Sequence, residues 1–257
     1  KEFAMNMKQK IQGGATLFTA WSSIPDPITA GIVASTAFDA VTLDMQHGGH
    51  SDESVLRCIG PVIQNGAHAV VRVPVGRFDM ASRALDFGAE AVIAPMINTI
   101  EDAKAFAGSM KYPPLGERSW GPGRAMAFHG HLDPNAYFLA ANSETLAIAM
   151  IETMEALAIA DDILALDGID GVFVGPSDFS IAWSGGALVN PKHDGMTGIL
   201  RDIASKAKKA GKFAASFGMD GAHAAFLAGL GYQFIAIGVD TGYIKSGADA
   251  LVREAKG

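Results

Sequence analysis

The sequence predicts a single (β/α)8 barrel over residues 1–257. Three observations carry that expectation. Eight apolar runs of five to nine residues recur along the chain, most of them nearly continuous in Val, Ile, Leu, Phe and Ala. Strands buried on both faces read this way, as in parallel sheets. Segments of helical period separate the runs, and strand–helix alternation implies right-handed βαβ units. Eight such units in 257 residues then match the arithmetic of a closed barrel. The competing fold, an open doubly wound sheet, usually opens with a glycine-rich turn; the first turn here reads Trp21-Ser22-Ser23-Ile24-Pro25. No internal repeat, low-complexity segment or interdomain linker interrupts the pattern. Lys1-Glu2-Phe3 reads as a vector-derived remnant.

In chain order, the first two strands are Ala15–Trp21 and Ala40–Met45. The third is His68–Pro74, followed by a helix that Asp79 caps and Gly88 stops. The fourth, Ala89–Met96, leads into Thr99-Ile100-Glu101-Asp102, a capping-box pattern before the helix Ala103–Met110. The fifth, Leu146–Glu152, precedes a helix over Thr153–Leu166 that ends at Gly168. The sixth, Gly171–Pro176, is followed by a helix over Gly198–Ala210, stopped by Gly211. The seventh, Lys212–Gly218, feeds a helix over Asp220–Ala228, and Tyr232–Asp240 is the eighth strand. Two connections, Lys111–Asn142 and Phe179–Met196, exceed what a barrel needs. Such loops usually carry function, so both are expected to reach the active-site face.

Composition narrows the function. With 49% hydrophobic and 18% charged residues, a chain of this size buries roughly 72% of its unfolded surface. That excludes a small stapled scaffold and a disordered chain. A formal charge of -7 argues against nucleic acid or an anionic membrane as partner. Cys58 is alone, which fits a reducing compartment. Lys1–Gln12 lacks a signal-peptide pattern, and the longest greasy stretch, Ala224–Val239, is broken by Gly229, Gly231 and Gln233. A soluble cytoplasmic protein is expected.

Catalytic residues of such barrels come from the C-terminal ends of strands. There the sequence offers Trp21, Ser22 and Ser23; Asp44, Gln46 and His47; Arg72; Glu152; Ser177 and Asp178; Phe217; and Asp240. Glu152 and Asp178 end adjacent strands, and two hard oxygen ligands suit Mg²⁺ or Mn²⁺; the alternative is that each caps the next helix. Asp44 and His47 read as a dyad in which Asp44 fixes the imidazole tautomer and leaves the other nitrogen as base; the alternative is a structural histidine. Arg72, interrupting an apolar strand, needs an anion: a structural carboxylate or, as we favour, a substrate carboxylate or enolate. No lysine ends a strand, which argues against a Schiff-base aldolase. No GxSxG supports Ser/His/Asp hydrolysis, and no organic cofactor is expected. His68 opens a strand and lies on the wrong face, and His50 is past the turn. His129, His131 and His193 sit in the long connections, where they are expected to shape the pocket.

Leu43-Asp44-Met45-Gln46-His47-Gly48, Val71-Arg72-Val73-Pro74, Tyr112-Pro113-Pro114-Leu115-Gly116-Glu117-Arg118, Ile151-Glu152-Thr153, Gly171 to Ser180 and Gly238-Val239-Asp240-Thr241 occur in this order. In this the chain resembles the HpcH/HpaI aldolases, the metal-dependent, 4-hydroxy-2-oxoheptanedioate aldolase-like enzymes, over essentially its whole length. The resemblance implies a homo-hexamer of (β/α)8 barrels that exchange helices. It implies reversible cleavage of 4-hydroxy-2-oxoacids to pyruvate and an aldehyde. Glu152 and Asp178 would hold the metal, which chelates pyruvate, and backbone N–H groups at Ser177 and Asp178 would hold the carboxylate. Arg72 would stabilise the enolate oxygen, and His47, oriented by Asp44, would act as acid and base. Phe18, Trp21 and Phe217 would line the acceptor pocket. Gln46 stands where the family commonly has Glu, which places it in the surroundings of the metal with one charge fewer; Met150 stands where the family can carry Gln. Two other readings remain: a citrate-lyase-like lyase of CoA esters, whose basic entrance would fall to Arg118, Arg124 and Lys192, and a barrel that binds a small carboxylate without turnover.

Overall fold

A computed structural model of the protein describes residues 5–257; the remnant Lys1-Glu2-Phe3 lies outside them. After helix α1 (Met7–Gln12), β1 (Leu17–Ser22) leads into α2 (Pro27–Ala34), β2 (Ala40–Asp44) into α3 (Asp52–Gln64) and β3 (His68–Arg72) into α4 (Phe78–Phe87). β4 (Ala91–Ala94) is followed by α5 (Ile100–Met110), α6 (Gly123–His129) and α7 (Pro134–Glu144), and β5 (Leu146–Ile151) by α8 (Met154–Ala158) and α9 (Ala160–Ala165). β6 (Gly171–Val174) precedes α10 (Pro176–Trp183), a 3-10 turn (Asp194–Met196) and α11 (Thr197–Lys209). β7 (Phe213–Gly218), α12 (Gly221–Gly229), β8 (Phe234–Val239) and α13 (Asp240–Lys256) complete the chain. All eight strands are parallel and close in sequence order, β8 pairing with β1.

The continuous apolar strands serve two cores. Alternate residues point inward, where Leu17, Ala40, Val70, Ile93, Ile148, Phe173, Ala215 and Phe234 fill the barrel. Their neighbours, among them Val41, Leu43, Val71, Val92, Ala149, Val174 and Ile235, pack against the helices. A buried polar pair, Thr19 and Thr42, closes inside the barrel at 2.8 Å. Helices start where the sequence places them at Thr99, Thr153 and Asp220, each of which caps with a side-chain oxygen, although Asp102 accepts the Thr99 hydroxyl instead of its N–H and the capping box stays half-made. It differs at Asp79, which lies inside the first turn of α4 and pairs with Arg77 instead of capping. The helix expected over Thr153–Leu166 is two, broken at Ile159.

The long connections divide. Lys111–Asn142 joins the end of α5 to the start of β5, so it lies at the N-terminal mouth, opposite the face where the strands end. Lys111 reaches the carbonyls of Asn142 and Thr145 there, and Arg118 pairs with Asp86 near the end of α4. His129 and His131 bind Gly88 O and Glu144, far from the pocket they were expected to shape. An αβ connection returns the chain to the strand starts, whatever its length. The segment 184–193 follows a βα connection and stays on the C-terminal side, with His193 against Trp183 and Lys192 paired with Asp220.

Candidate active site

The inward phase of the strands delivers Trp21, Asp44, Arg72 and Phe217 to one mouth. β2 and β3 place Asp44 directly beside Arg72 in register. The guanidinium grips the carboxylate with two bonds, Nε to Oδ1 at 2.8 Å and Nη2 to Oδ2 at 2.7 Å. Trp21 Nε1 donates to the same carboxylate at 3.1 Å, and the Arg72 guanidinium lies 4.8 Å from the centre of the Trp21 ring. Phe173 and Phe217 pack on that ring at 5.8 and 5.5 Å.

Three expectations are corrected here. Asp44 does not hold the His47 imidazole, because Arg72 and Trp21 occupy its oxygens and its remaining bonds go to backbone N–H groups of Gln46, His47 and Gly48. Arg72 thus finds a structural carboxylate, although it stays beside the mouth. Nor does Phe18 join Trp21 and Phe217: three residues from Trp21, it has the opposite strand phase and packs against the outer, helix-facing core. His47 is exposed, and no hydrogen bond holds its imidazole among the described residues.

Glu152 follows β5 and is 2% exposed. Its Oε1 accepts the Met96 N–H at 2.7 Å, and among the described residues it has no ion-pair partner. Burial raises its pKa, and the charge of Asp178 raises it further, against the Met96 bond and Arg72. Asp178 itself is exposed in the first turn of α10. Neither carboxylate caps a helix: Thr153 caps α8, and the residue before α10 is Gly175, with no side-chain cap. The N–H groups of Ser177 and Asp178 therefore start α10 without a side-chain acceptor, an arrangement that suits a bound anion.

This donor set fits a hard divalent ion. Two carboxylates close enough for the charge of one to raise the other repel unless a cation or a proton intervenes. Oxygen ligands suit Mg²⁺ or Mn²⁺, with water and substrate oxygens completing the shell. Gly175 shapes the space, since a Cβ there would stand 2.6 Å from Glu152 Oε2. Among the described residues no group of three or more His, Cys, Asp or Glu is placed to hold a metal, so an ion on the two carboxylates would need further oxygen ligands from water or substrate. Gln46 Oε1 is buried without a hydrogen-bond partner among the described residues. Lys111 and Lys212, the lysines whose pKa burial lowers, lie at the opposite mouth. A cavity of about 720 Å³ opens there too, where Asp170 pairs with both Lys8 and Lys111.

Sequence reading missed Met96. A non-glycine residue with φ of 54° turns its N–H onto Glu152, and nothing in Pro95-Met96-Ile97 announces a left-handed backbone. It also set aside His50, which is buried against Ser22 and Ser54.

Comparison with known proteins places this mouth in context. The chain is 32% identical over 243 residues to a hydroxypyruvate/pyruvate aldolase of Rhizorhabdus wittichii, covering 95% of both chains. It is 30% identical to a 4-hydroxy-2-oxo-heptane-1,7-dioate aldolase of Salmonella arizonae, covering 95% of this chain and 92% of the relative. An HpcH/HpaI aldolase/citrate lyase family protein from Burkholderia cenocepacia superposes with a TM-score of 0.87 at 26% identity, covering 98% and 99% of the two chains. The family model "HpcH/HpaI aldolase/citrate lyase" matches residues 17–246, from the first strand into the last helix. The chain belongs to the HpcH/HpaI aldolase/citrate lyase family.

Proposed function

We propose that this carbon–carbon lyase is a metal-dependent class II pyruvate aldolase, cleaving 4-hydroxy-2-oxoacids reversibly to pyruvate and an aldehyde. One observation carries the reading: Glu152 is buried, feels the like charge of Asp178 and has no ion-pair partner among the described residues. Glu152 and Asp178 would hold Mg²⁺ or Mn²⁺. Such an ion supplies Lewis-acid stabilisation of the charge that develops on the 2-oxo oxygen. Names of relatives such as the R. wittichii hydroxypyruvate/pyruvate aldolase support the substrate class.

The protein's own groups supply the rest. Ser177 and Asp178 present backbone N–H groups to the substrate carboxylate at the start of α10. Arg72, preorganised by Asp44, adds fixed positive charge at the enolate oxygen. His47, exposed beside the mouth, takes the C4 hydroxyl proton as the C3–C4 bond breaks and returns it in the aldol direction. Trp21 and Phe217 exclude water on the acceptor side. The cations that a CoA ester would use are already engaged among the described residues: Arg118, in the connection at the N-terminal mouth, binds Asp86, Arg124 binds Leu56 O, and Lys192 is paired with Asp220.

The test is retro-aldol cleavage read as released pyruvate, with Mn²⁺ affinity measured by calorimetry. Glu152→Ala and Asp178→Ala are expected to abolish both, and chelation to abolish turnover reversibly. Full activity in excess chelator would reject the metal mechanism. His47→Ala is expected to cost about 10²–10⁴ in rate with the metal still bound.

A further inference from the structure

The loop between β2 and α3 carries His47 between two sets of ties. On one side, the Asp44 carboxylate accepts the N–H groups of Gln46 and Gly48, each at 3.0 Å, and of His47 at 3.4 Å. On the other, the Gly49 N–H donates to Ser23 O at 2.8 Å. Next comes His50, 6% exposed, with both ring nitrogens engaged: Nε2 lies 3.0 Å from Ser22 Oγ and Nδ1 lies 3.1 Å from Ser54 Oγ. Ser22 in turn donates to Asp240 Oδ2 at 3.1 Å. Asp240 is fully buried and also accepts from the N–H groups of Ser23, Ile24 and Thr241 and from Ser23 Oγ. The chain Asp240–Ser22–His50–Ser54 therefore joins the start of α13, the end of β1, the loop and the first turn of α3.

The carboxylate fixes the protons at the Asp240 end of the chain. A carboxylate only accepts, so the Ser22 hydroxyl proton goes to Asp240 and its lone pair receives His50 Nε2–H. Burial keeps the ring neutral by lowering its pKa, against the charges of Asp240 and Asp44. Nδ1 is then bare and faces the Ser54 hydroxyl at 3.1 Å, whose single proton is shared between Nδ1 and Ser51 O at 3.0 Å while its oxygen accepts the Ser51 N–H. A neutral, doubly bonded imidazole of this kind is an anchor, and it is too enclosed to meet substrate.

We propose that His50 is the positioning residue for His47: it pins the β2–α3 loop so that the His47 imidazole stands over the mouth. The need arises because Asp44 is taken by Arg72 and no described residue bonds the His47 ring, so its backbone is what aims it. The proposal rests on the reading of His47 as acid and base.

His50→Leu keeps the bulk of the ring and removes both bonds; His50→Gln restores a donor near the Nε2 position. His50→Leu is expected to lower kcat for retro-aldol cleavage about 10- to 100-fold, as loss of orientation does. KM for the oxoacid and Mn²⁺ affinity should stay essentially unchanged, and His50→Gln should recover most of the rate. In a His47→Ala background His50→Leu should cost nothing further, because the two act as one unit. An equal loss in both backgrounds, or an unchanged kcat in folded His50→Leu, overturns the proposal. Should His50→Leu fail to fold, Ser22→Ala, which cuts only the link to Asp240, is read by the same criteria. Hydrogen exchange separates this idea from the aldolase assignment. Lost protection at Gln46–Gly49 in the variant supports the anchor even in a protein without aldolase activity, whereas unchanged protection rejects it even in an active aldolase.

Discussion

Asp44 and Glu152 are both buried carboxylates, and their surroundings push them in opposite directions. Burial alone would raise Asp44, but the bonds and charge of Arg72, with help from Gln46 N–H and Trp21, bring its pKa below the usual carboxylate range. A depressed carboxylate stabilises the fold fully above its unfolded pKa, and that contribution is lost as pH falls through the folded value. Asp44→Asn leaves the Arg72 charge buried and unpaired, so it is expected to cost about 3–5 kcal/mol in urea denaturation at neutral pH. It should also remove part of the acid-limb loss seen in the wild type. Glu152 is raised, so protons compete with an ion there at higher pH than at an ordinary carboxylate. Mn²⁺ affinity should therefore begin to fall above the ordinary carboxylate range as pH drops, with proton release on binding; calorimetry in buffers of different ionisation enthalpy reads both. These two environments belong to partners, and a sequence displays the acid without its partner. That is why Asp44 reads equally well as a companion of His47.

The β6–α10 junction brings strand, glycine and helix start together within a few residues. Gly175 has φ of -82°, so its backbone would accept any side chain. What forbids one is space: the added Cβ would meet Glu152 Oε2 at 2.6 Å and Met150 Cε at 3.0 Å. Gly175→Ala is expected to displace the Glu152 carboxylate, weaken Mn²⁺ binding at least about tenfold, roughly 1.4 kcal/mol, and leave thermal stability nearly unchanged; wild-type affinity would show that Glu152 has room to spare. At this scale the sequence was most readable where one residue settles the matter, as at Thr99, Thr153 and Asp220, whose hydroxyl or carboxylate caps without outside help. It was least readable where a competing partner intervened. Arg77 takes the Asp79 carboxylate with two bonds, and the cap is lost.

Across the whole molecule, α13 is the element least accounted for by one chain. Only Asp240 of its residues is buried, while Ile244, Leu251 and Val252 stand exposed, Leu251 at 69%. Ile244 and Leu251 share a helix face, and α2 exposes Ile28 and Ile32. We propose that these faces meet in a homo-oligomer, in keeping with the helix-exchanging hexamer that the family resemblance implies. Ile244→Glu with Leu251→Glu should then shift the mass measured by light scattering to smaller species; an unchanged mass would place any interface elsewhere. No helix among the described residues is long and apolar enough to cross a membrane.

The sequence by itself determined the eight strands and their parallel order. A strand buried on both faces must be apolar throughout, so its signal is local and survives without knowledge of neighbours. It also brought forward Glu152, Asp178, Arg72 and His47, because they stand at or just past the C-terminal ends of strands, where such barrels carry their chemistry. Only the tertiary structure decided that Asp44 serves Arg72, that Phe18 faces the helices, that Lys111–Asn142 returns to the N-terminal mouth, and that His50 lies buried between Ser22 and Ser54. Each of those depends on register between strands or on where the chain re-enters the barrel. Contacts between residues far apart in sequence settle such matters, and no stretch of sequence carries them alone.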